Sequence, residues 1–87
     1  MADSADNGVQ VLYFAALRDL AGTSEERVGL DFPQSVGELL LTLEKRHDEL
    51  RGRLGSVRVA VNEEFTEPTT LLRGGEVVAL IPPVSGG

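Results

Sequence analysis

Only one stretch of this 87-residue chain carries helical periodicity for more than two turns, and it limits the architectures open to the whole. Ser35 and Glu38 stand three apart, the spacing of a capping box, with Pro33 just before them. Val36, Leu39, Leu40, Leu43, His47 and Leu50 then follow one apolar stripe, while Glu44, Lys45, Asp48 and Glu49 fall off it. The pattern predicts a helix from Ser35 to near Arg51-Gly52, with the basic cluster Arg51-Gly52-Arg53 capping its end. A chain this short builds one core, so a single long helix must find a sheet to lie on.

The sheet is written on either side of it. Val9-Gln10-Val11-Leu12-Tyr13-Phe14-Ala15 reads as a strand rich in β-branched and aromatic residues. Its two faces, Val9/Val11/Tyr13 and Gln10/Leu12/Phe14, are both largely apolar, so the second face is expected to have a cover of its own. Residues 16–21 suit a short helix stopped at Gly22, and residues 23–30 suit an edge strand with charges facing water. Val57-Arg58-Val59-Ala60-Val61 alternates as a strand and runs into a polar turn at Asn62-Glu63-Glu64. A short segment at Leu71-Leu72 sits between Pro68 and the Gly74-Gly75 turn. Val77-Val78-Ala79-Leu80-Ile81 is a continuous apolar run, as in a strand buried on both faces, and is expected in mid-sheet. The order predicts an α+β fold, one main helix packed across a small mixed sheet. Residues 1–8 form a polar, acidic lead-in expected to be disordered, residues 9–81 the domain, and residues 82–87 an extended tail.

Little in the chain can do chemistry. Cysteine is absent, which removes disulfides, thiolate catalysis and cysteine metal sites. A net charge of −6 argues against a nucleic-acid partner, and suits an acidic protein docking on a basic one. No apolar run is long enough to span a membrane and no signal peptide is evident, so a cytoplasmic location is expected. The single histidine, His47, lies on the apolar stripe and is expected to be packed and hydrogen-bonded. The pairs Glu25-Glu26 and Glu63-Glu64 point to opposite faces of any strand, so they read as solvated surface and not as acid–base dyads. No metal-ligand spacing is present.

The sequence ends Pro82-Pro83-Val84-Ser85-Gly86-Gly87. The prolines remove two N–H donors and should stop the sheet ladder. The glycines lack a Cβ and can thread a narrow tunnel backbone-first. A carboxylate at Gly87 could be adenylated by a partner, which supplies AMP as leaving group, and then attacked at the acyl carbon by a sulfur donor or an amine. On this reading the chain is the group carried, a co-substrate whose catalyst lies elsewhere.

The segments Val11-Leu12-Tyr13-Phe14-Ala15-Ala16-Leu17-Arg18-Asp19-Leu20-Ala21-Gly22, Val59-Ala60-Val61-Asn62, and Gly75 through Gly87 resemble the small subunit of molybdopterin synthase, the MoaD family of ubiquitin-like sulfur carriers. The resemblance implies a ubiquitin-like β-grasp fold. It implies that an E1-like adenylyltransferase (MoeB type) uses ATP on Gly87, and that a sulfurtransferase makes the thiocarboxylate. It further implies that the tail enters a large subunit (MoaE type) to pass sulfur to cyclic pyranopterin monophosphate, in a 2:2 heterotetramer. The chain itself would bind no cofactor, and catalytic residues would lie on the large subunit. Phe14 matches an interface position of the family; Ile81 and Val84 flank the tail exit, and Pro82, Pro83, Ser85 and Gly86 complete the partner-binding set. Leu80-Ile81 stand where the family commonly has aromatics, and the lead-in is longer than the minimal pattern. The competing readings are a related carrier for thiamine or cysteine synthesis, a ubiquitin-like protein modifier, and a binding module with an inert tail.

Overall fold

The computed structural model describes residues 8–31 and 33–83; most of the expected lead-in and the tail from Val84 onward lie outside them. Strand β1 (Gly8–Tyr13) leads through helix α1 (Ala16–Ala21) to β2 (Glu25–Gly29). A two-residue strand β3 (Gln34–Ser35) opens helix α2 (Val36–Arg46), which is followed by a 3₁₀ turn at Asp48–Leu50. Then come β4 (Arg58–Val61), β5 (Glu64–Thr66), β6 (Leu71–Leu72) and β7 (Val77–Ile81). Five strands form one sheet in the order β2-β1-β7-β4-β5, and β3 pairs with β6 apart from it. The β1–β7 pair is parallel and the other pairs of the sheet are antiparallel. This is the expected mixed β-grasp sheet, with β7 in the middle.

Register assigns each residue to a face. Val9, Val11 and Tyr13 share a face with Val78, Leu80 and Val59, and α2 covers it with Val36, Leu39 and Leu43. These side chains are almost fully buried, each worth about 1.5–3 kcal/mol for an aliphatic residue relative to exposure. The capping box forms as read: the Glu38 N–H donates to Ser35 Oγ (3.1 Å), and the Ser35 N–H donates to Glu38 Oε1 (2.8 Å). Gly22 ends α1 in the left-handed conformation at φ 79°.

Several expectations are corrected. Helix α2 stops at Arg46, not near Arg51, because His47 leaves helical geometry (φ −128°, ψ 102°) and its ring turns to Glu26. The chain then uses the 3₁₀ turn to place Leu50 in the core, so the basic cluster does not cap the helix. Strand β1 begins at Gly8, where a Cβ would come within 2.7 Å of the Val28 carbonyl oxygen, and ends at Tyr13. It ends there because Ala15 takes φ 53°, ψ −130° and the Leu17 N–H closes a turn on the Phe14 carbonyl (3.0 Å). The polar stretch after Asn62 is a strand, β5, joined to β4 by a tight turn with Asn62 and Glu63 both at positive φ. Finally, β7 is buried on one face only: Val78 and Leu80 are inaccessible, whereas Val77 is exposed and Ala79 and Ile81 are half-buried. The second face of β1 likewise has no cover among the described residues.

Candidate functional site: an uncovered sheet face at the root of the tail

That bare face surrounds the point where the chain leaves the sheet. Leu12 of β1, Val77, Ala79 and Ile81 of β7, and Ala60 of β4 lie on it by register, with Leu12, Ala79 and Ile81 half-buried and Ala60 itself buried, and Phe65 of β5 stands opposite Ala60. Phe14, one residue past the Tyr13–Leu80 pair, is 45% exposed, and Phe65 is 60% exposed. A contiguous apolar surface of this kind on a small chain is a candidate docking site. Phe14 is held where it is from both sides: its N–H reaches the Leu80 carbonyl (3.3 Å), and the turn at Ala15 follows at once. Ala15 is an alanine at positive φ, a conformation that costs on the order of 1–3 kcal/mol and recurs at functional positions.

Ile81 is the last paired residue of β7, opposite Arg58. Pro82 and Pro83 follow with no N–H to offer, so the ladder ends there, as the sequence predicts. Pro82 is half-buried and Pro83 exposed. Phe14, Ile81, Pro82 and Pro83 are therefore gathered at one end of the two central strands. Val84, Ser85, Gly86 and Gly87 lie outside the described residues.

Sequence reading missed two parts of this surface. Phe65 was hidden because a three-residue polar strand gives no periodic signal; its place opposite Ala60 depends on the hairpin turn. Arg58, whose guanidinium sits 4.5 Å from the centroid of the Phe65 ring, reads in sequence only as the polar position of an alternating strand.

The titratable groups that do converge lie on the opposite, helix-facing side. Glu26 pairs with Val11 in register and so points the same way as Val28, not outward to water. Its carboxylate accepts from the Tyr13 hydroxyl (2.5 Å), contacts His47 Nε2 (2.7 Å) and accepts from Arg46 Nε (3.3 Å). Burial opposes ionisation of Glu26, but the hydrogen bonds from Tyr13 and His47 and the nearby cationic groups outweigh it and hold the carboxyl below its usual range. Burial, then the bond to Glu26, pushes the Tyr13 phenol well above its ordinary value. Tyr13 and His47 also meet edge to face, with centroids 6.0 Å apart. A carboxylate already saturated by donors is a tie between β2, β1 and the end of α2, and is no general base. The expectation of a packed, hydrogen-bonded His47 holds, whereas Glu26 is not the solvated residue its sequence neighbours suggest. Among the described residues no group of acidic and histidine side chains is placed to hold a metal.

Comparison with known proteins agrees with this geometry. The sequence profile of the ThiS family matches residues 11–87. The molybdopterin synthase sulfur carrier subunit of Mycobacterium tuberculosis is 38% identical over 80 residues, covering 91% of this chain and 96% of that one. Among solved structures, the small archaeal modifier protein SAMP1 of Haloferax volcanii superposes with a TM-score of 0.83 at 31% identity, covering 92% of this chain and 99% of the other. A complex of subunits 1 and 2 of the molybdopterin-converting factor of Helicobacter pylori contains a chain matched at TM-score 0.65 and 25% identity, over 92% of this chain and 99% of that one. With a β-grasp sheet, a central last strand and a family profile spanning nearly its whole length, the chain belongs to the ThiS family and is similar within it to the sulfur carrier subunits of molybdopterin synthase.

Proposed function

We propose that this protein is the sulfur carrier subunit of a molybdopterin synthase. The observation that carries the reading is the placement of β7: the central strand delivers the tail from the sheet beside an uncovered apolar face, so docking of that face aims the tail into the partner. The Gly87 carboxylate attacks ATP in an E1-like, MoeB-type enzyme, forming an acyl-adenylate and releasing pyrophosphate. A sulfurtransferase system then displaces AMP and leaves a thiocarboxylate. The tail, Val84 to Gly87, inserts into a MoaE-like large subunit, where the sulfur passes to cyclic pyranopterin monophosphate. Phe14, Ile81 and Phe65 supply the apolar contact, and Pro82 and Pro83 stiffen the exit. Two carriers and two large subunits assemble, in the cytoplasm, with the catalytic groups on the large subunit. The carrier itself holds no cofactor.

Similarity to an archaeal modifier supports a second reading, in which an amine of a target protein attacks the same acyl-adenylate. Both share the activation step and part after it. Reconstitution with the activating enzyme, a sulfur donor, the large subunit and pyranopterin separates them. The carrier reading expects dithiolene product, abolished by deletion of Gly87 with the melting temperature unchanged. Product formation that survives the deletion, or isopeptide adducts in place of product, contradicts it.

A further inference from the structure

The central strands of the docking face carry one charge, while Glu25 and Arg27 of β2 lie at its edge. On the outer side of β1, β7 and β4 the register places Gln10, Leu12, Val77, Ala79, Ala60 and Arg58, of which Arg58 alone is charged. Its guanidinium stacks 4.5 Å from the Phe65 ring centroid, and among the described residues it makes no ion pair. What sets Arg58 apart is its place: it stacks on Phe65 within the apolar face, where a docked partner would cover it. Stacking holds the guanidinium against the face and leaves its N–H edge free for a bidentate acceptor. Arg58 also lies directly opposite Ile81, the last residue before the prolines, so it marks the root of the tail.

Covering this face removes water from the guanidinium. A charge desolvated without a partner is strongly unfavourable, so an apolar partner surface alone would reject it. We propose that Arg58 is a specificity-determining residue: held over Phe65 at the root of the tail, it selects a large subunit that presents a carboxylate beside the opening that receives the tail. This rests on the docking reading above and adds to it the chemistry of the partner's rim. Binding is then charge-sensitive at one defined point, while the surrounding apolar contacts stay indifferent to salt.

The test uses the full chain and the large subunit from the same organism, with dissociation constants measured by calorimetry at low and high salt. Arg58→Leu keeps an apolar cover on Phe65 and removes the charge; it should weaken binding by about tenfold or more and flatten the salt dependence. Arg58→Lys keeps the charge but loses the bidentate fork and the stacking plane, so its affinity should fall between those of wild type and Arg58→Leu, and Arg58→Glu should bind more weakly than Arg58→Leu. Melting temperatures should stay close to wild type throughout, since the side chain is exposed. Wild-type affinity and salt dependence in Arg58→Leu would overturn the inference while leaving the docking reading intact. No binding by the wild-type chain would remove both.

Discussion

Replacing Glu26 with alanine tests the polar tie most severely. Tyr13 is only 2% exposed, and its hydroxyl donates to Glu26 at 2.5 Å. Removing the acceptor strands a buried donor, at a cost of about 1–3 kcal/mol. The contact to His47 at 2.7 Å and the bond from Arg46 at 3.3 Å are lost as well, the second from a half-exposed arginine and therefore worth little. A total near 2–3 kcal/mol follows, which for a domain of this size lowers the melting temperature by roughly 8–20 °C. Tyr13→Phe removes the donor without stranding it and should cost only about 1 kcal/mol. The two changes should therefore be less than additive: in the Tyr13→Phe background, Glu26→Ala should cost at least about 1 kcal/mol less than in the wild type. Urea denaturation of the four proteins gives the coupling directly. Additive effects, or a cost for Glu26→Ala below about 0.5 kcal/mol, would refute the reasoning, since that is the range of an ordinary surface substitution.

The same cluster sets the pH dependence of folding. Glu26 is held below its unfolded value, so its contribution is present above the unfolded carboxylate range and is lost as pH falls through the lower folded value. Tyr13 is raised, so its contribution is present below the phenol's ordinary value and declines as pH rises past it. Stability measured across pH should fall at both ends, and Glu26→Gln should flatten the acid limb. Ala15→Gly relieves the positive-φ strain but adds backbone entropy to the unfolded chain; the balance should stabilise the protein by about 0.5–1.5 kcal/mol, and a lowered melting temperature would contradict it. Ser35→Ala breaks the capping box and should cost about 1 kcal/mol in chemical denaturation.

What could be read from the sequence was what depends on neighbours along the chain. The start of α2 follows from Ser35 and Glu38, the stop of α1 from Gly22, and the end of the ladder from Pro82 and Pro83; all three are local chemistry. The misplaced end of α2 has a tertiary cause, because the group that draws His47 out of the helix is Glu26, 21 residues away. Glu26 itself looked solvated because its core-facing position appears only once β2 is set in register against β1. The bare sheet face was legible in part. Phe14 and Ile81 were visible as apolar residues, but periodicity cannot distinguish a second layer of core from a bare face. Burial makes that distinction, and it adds Phe65 and Arg58.

In the proposed function Gly87 carries sulfur. Incubation of the chain with an E1-like activating enzyme, ATP and a sulfur donor, followed by intact mass spectrometry, tests it most directly. A mass gain equal to one oxygen replaced by sulfur is expected, absent from the protein lacking Gly87. An unchanged mass in the presence of an activating enzyme shown to form the acyl-adenylate would contradict it.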